Sequence, residues 1–159
     1  NHAIVPLRQL GAVAVKPGAL LVLDAEKIAA YWGSVRKLKN ERVYETRVAA
    51  GVRELEGSMP SGVIFTAYSA YRLLFDDAPS DYGEVVIYAN DLVLEEIKRR
   101  FPEKSGPVNL IVLKPDRFIA QMAVKSCAPR SQIYVDLWNL GTWQAKEYLS
   151  ALERRFGSQ

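Results

Sequence analysis

Residues 84–114 constrain the fold more than any other stretch. "EVVIYA" is dense in β-branched and aromatic residues and predicts a strand. Asn90 or Asp91 can cap a helix over "DLVLEEIKRRF". Its acids fall in the first turns and Lys98, Arg99 and Arg100 in the last, the order the helix dipole favours. "PVNLIVLK" is a second apolar strand. A strand, a helix and a strand in succession make the two strands neighbours without fixing their relative direction. The expected class is α/β, with α+β as the alternative: a small mixed sheet with flanking helices.

The rest of the pattern fits around that unit. "GAVAVKPGALLVLD" is two apolar runs about Pro17-Gly18, so Gly11–Asp24 predicts a β-hairpin. Asp24 then caps a helix whose face is Ile28, Trp32 and Val35. Leu38 extends that face, and the helix is expected to end in the basic run "RKLKNER". "RVYETRVAA" predicts a strand and "VRELEGSMP" a short helix or turn. After an apolar entry at Val63–Phe65, Thr66 is the expected N-cap of a helix with Ala67, Ala70, Tyr71 and Leu74 on one face. Residues 115–130 show no clear period. "SQIYVDLWNLG" reads equally as a helix or an extended apolar segment, and "TWQAKEYLSALERRF" is an amphipathic helix.

A length of 159 residues suits one globular domain with a small appendage. No apolar run reaches the length that spans a bilayer, so no membrane partner is expected, and no secretory signal is visible. Cys127 is the sole cysteine, which excludes an intrachain disulfide and makes a cytoplasmic protein the simple reading. His2 is the sole histidine, which argues against a Cys–His nucleophile and a Cys/His zinc site. The chain begins at Asn1 rather than Met, as a fragment or a processed product would. Its formal charge of +3 comes from residues 1–60, with nine Lys/Arg against six Asp/Glu; residues 61–159 hold twelve of each.

The acidic loop holding Asp76, Asp77, Asp81 and Glu84 has the setting of a metal-dependent nucleotidyltransferase or nuclease, which is the alternative function. Two-metal catalysis needs carboxylates converging on ions about 3.5–4 Å apart. Acids two apart on a strand would share a face, but Val86 follows Glu84 by two and Gly83 follows Asp81 by two. The Gly-Ser element of such enzymes is replaced by Thr66-Ala67-Tyr68. "LIVLK" supplies Lys114, but Val112 stands where a nuclease-like Asp/Glu-x-Lys needs its carboxylate. No phosphate-loop motif occurs. The expectation is a non-catalytic chain with no cofactor and no metal, its acidic loop solvated.

Two basic features point toward nucleic acid. Arg36, Lys37, Lys39 and Arg42 cluster at the expected basic end of the first long helix, Arg8 precedes the hairpin and Lys16 sits at its turn. Helix end, strand, turn and strand are the order of a winged helix, whose wing touches the backbone of duplex DNA. Too few residues precede the hairpin for a whole motif, so 1–24 reads as a partial winged-helix remnant and 25–159 as an α/β C-terminal domain. The candidate DNA contacts are Arg8, Lys16, Arg36, Lys37, Lys39 and Arg42. An aromatic patch of Tyr68, Tyr71, Tyr82 and Trp138 would instead suit a protein partner, although core packing is the commoner use of such residues.

Three stretches together, "LGAVAVKPGALLVLDAEKIAAYWGSVRKL", "MPSGVIFTAYSAYRLLFDDAPSDYGEVVIYA" and "IYVDLWNLGTWQAKEYLSALE", carry a family resemblance. They resemble the AbiEi-like proteins, in an archaeal-type version: transcriptional regulators of viral-defence loci and antitoxins of type IV toxin–antitoxin systems. The resemblance covers most of the chain through soft patterns of apolar and small residues. It implies a winged helix ahead of an α/β domain, binding to promoter DNA, and no catalysis by this chain. It also implies a cognate nucleotidyltransferase-like toxin as partner. A homodimer is the oligomeric state expected. The winged helix is only partial here, which is where the chain departs from the family pattern.

Overall fold

Pro17 and Gly18 close the N-terminal hairpin where the sequence places it. In a computed structural model that describes residues 2–156, a short helix α1 (Val5–Gln9) leads into strands β1 (Val13–Lys16) and β2 (Ala19–Val22). The strands pair antiparallel from Val13↔Val22 to Lys16↔Ala19. Gly18 sits at φ +73°, which a type II turn requires after proline and which a side chain would strain. Asp24 accepts the Lys27 N–H at 3.0 Å and so caps α2 (Ala25–Val35).

Helix α2 stops earlier than its apolar stripe suggests. Arg36 takes extended backbone (φ −75°, ψ 145°), and Leu38–Asn40 form a separate 3-10 turn. The basic run therefore lies beyond the helix and does not complement its dipole. Asn139 enforces the break: it accepts the Leu38 N–H at 2.9 Å and donates to the Gly33 carbonyl at 2.8 Å. Leu38 is buried as an anchor of the turn rather than as another helical position.

The remaining elements are β3 (Arg42–Thr46), α3 (Val52–Gly57), β4 (Ile64–Phe65), α4 (Ala67–Phe75), β5 (Val85–Tyr88), α5 (Asp91–Arg100), β6 (Leu110–Leu113), α6 (Arg117–Met122), α7 (Arg130–Leu140) and α8 (Trp143–Phe156). Four strands form one sheet in the order β3-β6-β5-β4. β5 and β6 run parallel, from Val85↔Leu110 to Tyr88↔Leu113, with α5 as their crossover, and both outer strands are antiparallel. This is the mixed sheet with flanking helices of an α/β protein.

The pleat divides the core. Val85, Ile87, Leu110 and Val112 face Leu55 of α3 and Leu94 and Ile97 of α5. Val86, Tyr88, Ile111 and Leu113 face the other way, toward α4, α7 and α8. Asn90 accepts the Val93 N–H at 3.0 Å and starts α5 as expected. Residues 115–130, unassigned from sequence, hold α6, which Asp116 caps through the Phe118 and Ile119 N–H groups. They also hold a bridge from Cys127 to Phe65 at the edge of β4. "SQIYVDLWNL" is helix: α7 is buried at every residue from Gln132 to Leu137 and packs against α2, α4 and α8.

Gly33 lets α2 and α7 meet. A Cβ on Gly33 would lie 2.8 Å from Cγ of Trp138, with the other nearest ring atoms at 3.0 and 3.1 Å. Overpacking of this kind costs about 1–3 kcal/mol, more than the roughly 1 kcal/mol that alanine gains over glycine in a helix. Gly33→Ala is expected to be net destabilising in urea unfolding and to shift tryptophan fluorescence. A more stable variant would show that the contact yields.

Candidate nucleic-acid interface and the polar cluster behind it

Lys37 and Lys39 leave the 3-10 turn into solvent, and Arg42 opens β3 beside them. All three line one open cleft with Gly33, Trp138 and Asn139, and Trp138 is 39% exposed there. Lys37 and Lys39 form no ion pair among the described residues, while Arg42 meets Glu45 at 2.9 Å. Arg8 is exposed on α1, in a shallow depression with Val5 and Gln9, and Lys16 is exposed where the hairpin turns. Neither lines the Lys37–Lys39–Arg42 cleft. The structure thus gathers three of the candidate contacts and leaves two on the hairpin unit. That unit also exposes Val15, Leu20, Leu21, Val22 and Leu23.

Arg36 is a correction. Its side chain is only 7% exposed and is bound inside the protein. It pairs with Asp136, meets Glu41 at 2.5 and 3.0 Å and donates to the Tyr88 hydroxyl at 2.9 Å. A guanidinium committed to two carboxylates is not a phosphate contact. Burial works against its charge, but the bond to Glu41 and the field of Asp136 outweigh that and raise its pKa.

Asp136 is the centre of this cluster. It lies on the buried helix α7 with no solvent exposure. Arg36, the Thr66 hydroxyl, the Tyr88 hydroxyl (2.8 Å) and Gln132 Nε2 (3.0 Å) all donate to it. Burial pushes its carboxyl above the usual range, while Arg36, Thr66 and Gln132 pull it back. Every neighbour is a donor, which favours the carboxylate. Thr66 holds the N-cap position of α4 as predicted, but its side chain makes no capping bond and serves Asp136 instead. The next residue, Ala67, is fully buried at φ +50°, a strained setting held by its surroundings.

The acidic loop is dispersed. Asp76 ends α4 in a left-handed conformation, and Asp77 accepts from the Tyr71 hydroxyl at 3.1 Å and meets Arg155 at 3.5 Å. Asp81 is exposed, and burial raises the carboxyl of the half-buried Glu84. Among the described residues, no three of His, Cys, Asp or Glu gather to hold a metal ion. Tyr68, Tyr71 and Tyr82 are core residues packed about Tyr148, which leaves Trp138 as the exposed member of the aromatic patch. No helix among the described residues is long and apolar enough to cross a membrane.

A second buried carboxylate, Glu56, accepts from Arg72 at 2.7 Å, Arg53 at 3.3 Å and the Tyr82 hydroxyl. Burial pushes this carboxyl up, but the bonds from Tyr82 and Arg72 win, and the pKa falls below 4.5. Burial likewise pushes the Cys127 thiol up to about 11, so it stays a protonated core group.

Sequence reasoning missed Asp136, Thr66's true partner, Tyr88, Gln132 and Glu41. The visible signal was one acid, Asp136, inside the apolar run "IYVDLW". Compared with known proteins, the chain matches no family model, no curated protein and no solved structure.

Removing one partner of a buried pair costs about 3–5 kcal/mol; here Arg36 keeps Glu41, but Thr66, Tyr88 and Gln132 lose the acceptor they share. Asp136→Ala is therefore expected to lose that much stability in urea titration, and a loss below about 1 kcal/mol would mean the pair is dispensable. For Glu56, the folded-state pKa is depressed, so its stabilisation is present above the unfolded value near 4.5 and disappears as pH falls through the folded value. Glu56→Gln should flatten the acid limb of the stability–pH curve below pH 4.5. An unchanged limb would assign acid sensitivity to other groups.

Proposed function

We propose that this chain is a non-catalytic, DNA-associated transcriptional regulator or type IV antitoxin-like protein of the cytoplasm. In this role the α/β domain carries a basic cleft, the hairpin acts as a wing, and a cognate toxin is the protein partner. The observation that carries the proposal is the convergence of Lys37, Lys39 and Arg42 on one open cleft beside exposed Trp138. Unpaired lysines gain most from phosphates, because binding releases condensed counterions and makes affinity salt-dependent. Lys16 at the hairpin turn is where a wing meets the DNA backbone. Arg36 takes no contact role here; it holds the turn that presents Lys37 and Lys39.

Fluorescence anisotropy on duplex DNA from the gene's own upstream region, across a salt series, tests this. Lys37→Ala/Lys39→Ala/Arg42→Ala should weaken binding regardless of sequence and reduce the salt slope by about 1 for each phosphate no longer neutralised. Lys16→Ala should reduce it separately. A triple variant that binds with an unchanged slope would remove the cleft from the interface, and a wild-type chain without salt-dependent binding would sink the DNA role.

A further inference from the structure

We infer that the cleft at the carboxyl ends of β5 and β6 binds a nucleoside monophosphate. The cleft measures about 560 Å³, inside the roughly 300–1,000 Å³ typical of small-molecule sites. Open α/β sheets take ligands beyond the carboxyl ends of parallel strands: here Lys114, which follows β6, lines the cleft, and Gln132 in its wall bonds Tyr88 at the end of β5.

The lining names the ligand chemistry. Trp32, 36% exposed, and Ile119 supply apolar surface for a planar ring. Gln132 lines the same cleft although only 4% exposed. Its Nε2 donates to the Tyr88 hydroxyl at 2.9 Å and to Asp136 at 3.0 Å, which fixes the amide and leaves Oε1 as an acceptor for a ligand. Glu41, half-buried and held by Arg36, is a second acceptor. Acceptors beside an indole suit a ring that carries N–H donors, as an aminated nucleobase does. Lys114 is exposed, forms no ion pair among the described residues, and has its backbone N–H fixed to the Glu41 carbonyl at 2.8 Å. It shares the cleft with Asp116, whose Oδ1 is taken by the Phe118 and Ile119 N–H groups, so Lys114 is the cation there that would meet a phosphate. Asn40 supplies both donor and acceptor for sugar hydroxyls. An apolar ligand would leave Gln132 Oε1 without a donor, and phosphate alone would leave the Trp32 wall unused.

This site stands apart from the DNA role, and its test contains no DNA. Calorimetric titration of the whole chain with AMP, CMP, GMP, adenosine and inorganic phosphate is expected to give saturable one-site binding of an aminated nucleotide. The nucleoside should bind about tenfold more weakly, and phosphate alone should not bind. Lys114→Ala should bring AMP down to the adenosine level and leave adenosine unchanged, while Trp32→Leu should weaken both. Circular dichroism checks that each variant is folded. No saturable heat from any of the three nucleotides at millimolar concentration would overturn the assignment. So would phosphate binding as tightly as AMP, or AMP binding that neither variant alters.

Discussion

A single carboxylate inside α7 has to be compensated before this chain can pack. Asp136 is fully buried, and an isolated ion there would be prohibitively costly. Most of the compensation comes from far along the sequence: Arg36 after α2, Thr66 between β4 and α4 and Tyr88 at the end of β5, with Gln132 added from one turn earlier on α7. A buried pair of this kind is weak evidence for net stability, because desolvation consumes most of the Coulombic gain. What it fixes is geometry. The central helix can take only the depth and rotation at which Asp136 meets all four donors, and α2 must end where Arg36 can turn inward.

That early end of α2 shapes the surface. Had the helix run on through Leu38, Lys37 and Lys39 would have pointed to different sides of a cylinder, since residues two apart do not face each other. Asn139 instead ties α7 to the 3-10 turn through Leu38 and to the end of α2 through Gly33, and both lysines then share a cleft with Arg42 and Trp138. The exposed charges and the buried one are therefore consequences of the same turn.

What the sequence disclosed depended on the range of the interaction. Asp24 and Asn90 were readable as caps because each bonds an N–H three residues away. β5 and β6 were readable because both faces are buried and their β-branched runs are unbroken. Helix α7 was ambiguous for the opposite reason: a helix buried on every side loses the apolar period that marks a half-exposed one. Arg36 looked like one member of a basic run because its buried partner, Asp136, lies 100 residues on. Thr66 looked like a cap because the local rule offers its hydroxyl the nearest N–H, whereas Asp136 is 70 residues away. The candidate interface was half legible: the exposed lysines and Arg42 came from composition, and their convergence came from tertiary structure.

Arg36 also joins the two clefts. It lines the basic cleft beside Lys37 and Arg42, and it lines the cleft that holds Gln132, Glu41 and Lys114. Glu41 and Asp136 compete for one guanidinium, Glu41 half-buried and Asp136 wholly so. A ligand that drew on Glu41 would leave Arg36 more fully to Asp136, and the turn carrying Lys37 and Lys39 begins at Arg36 itself. Removing Arg36 would therefore disturb both clefts and the core together, and the resulting loss could not be credited to any one of them. Rim residues such as Lys37 and Lys114 each touch one cleft, so they separate the roles that the buried pair binds into one.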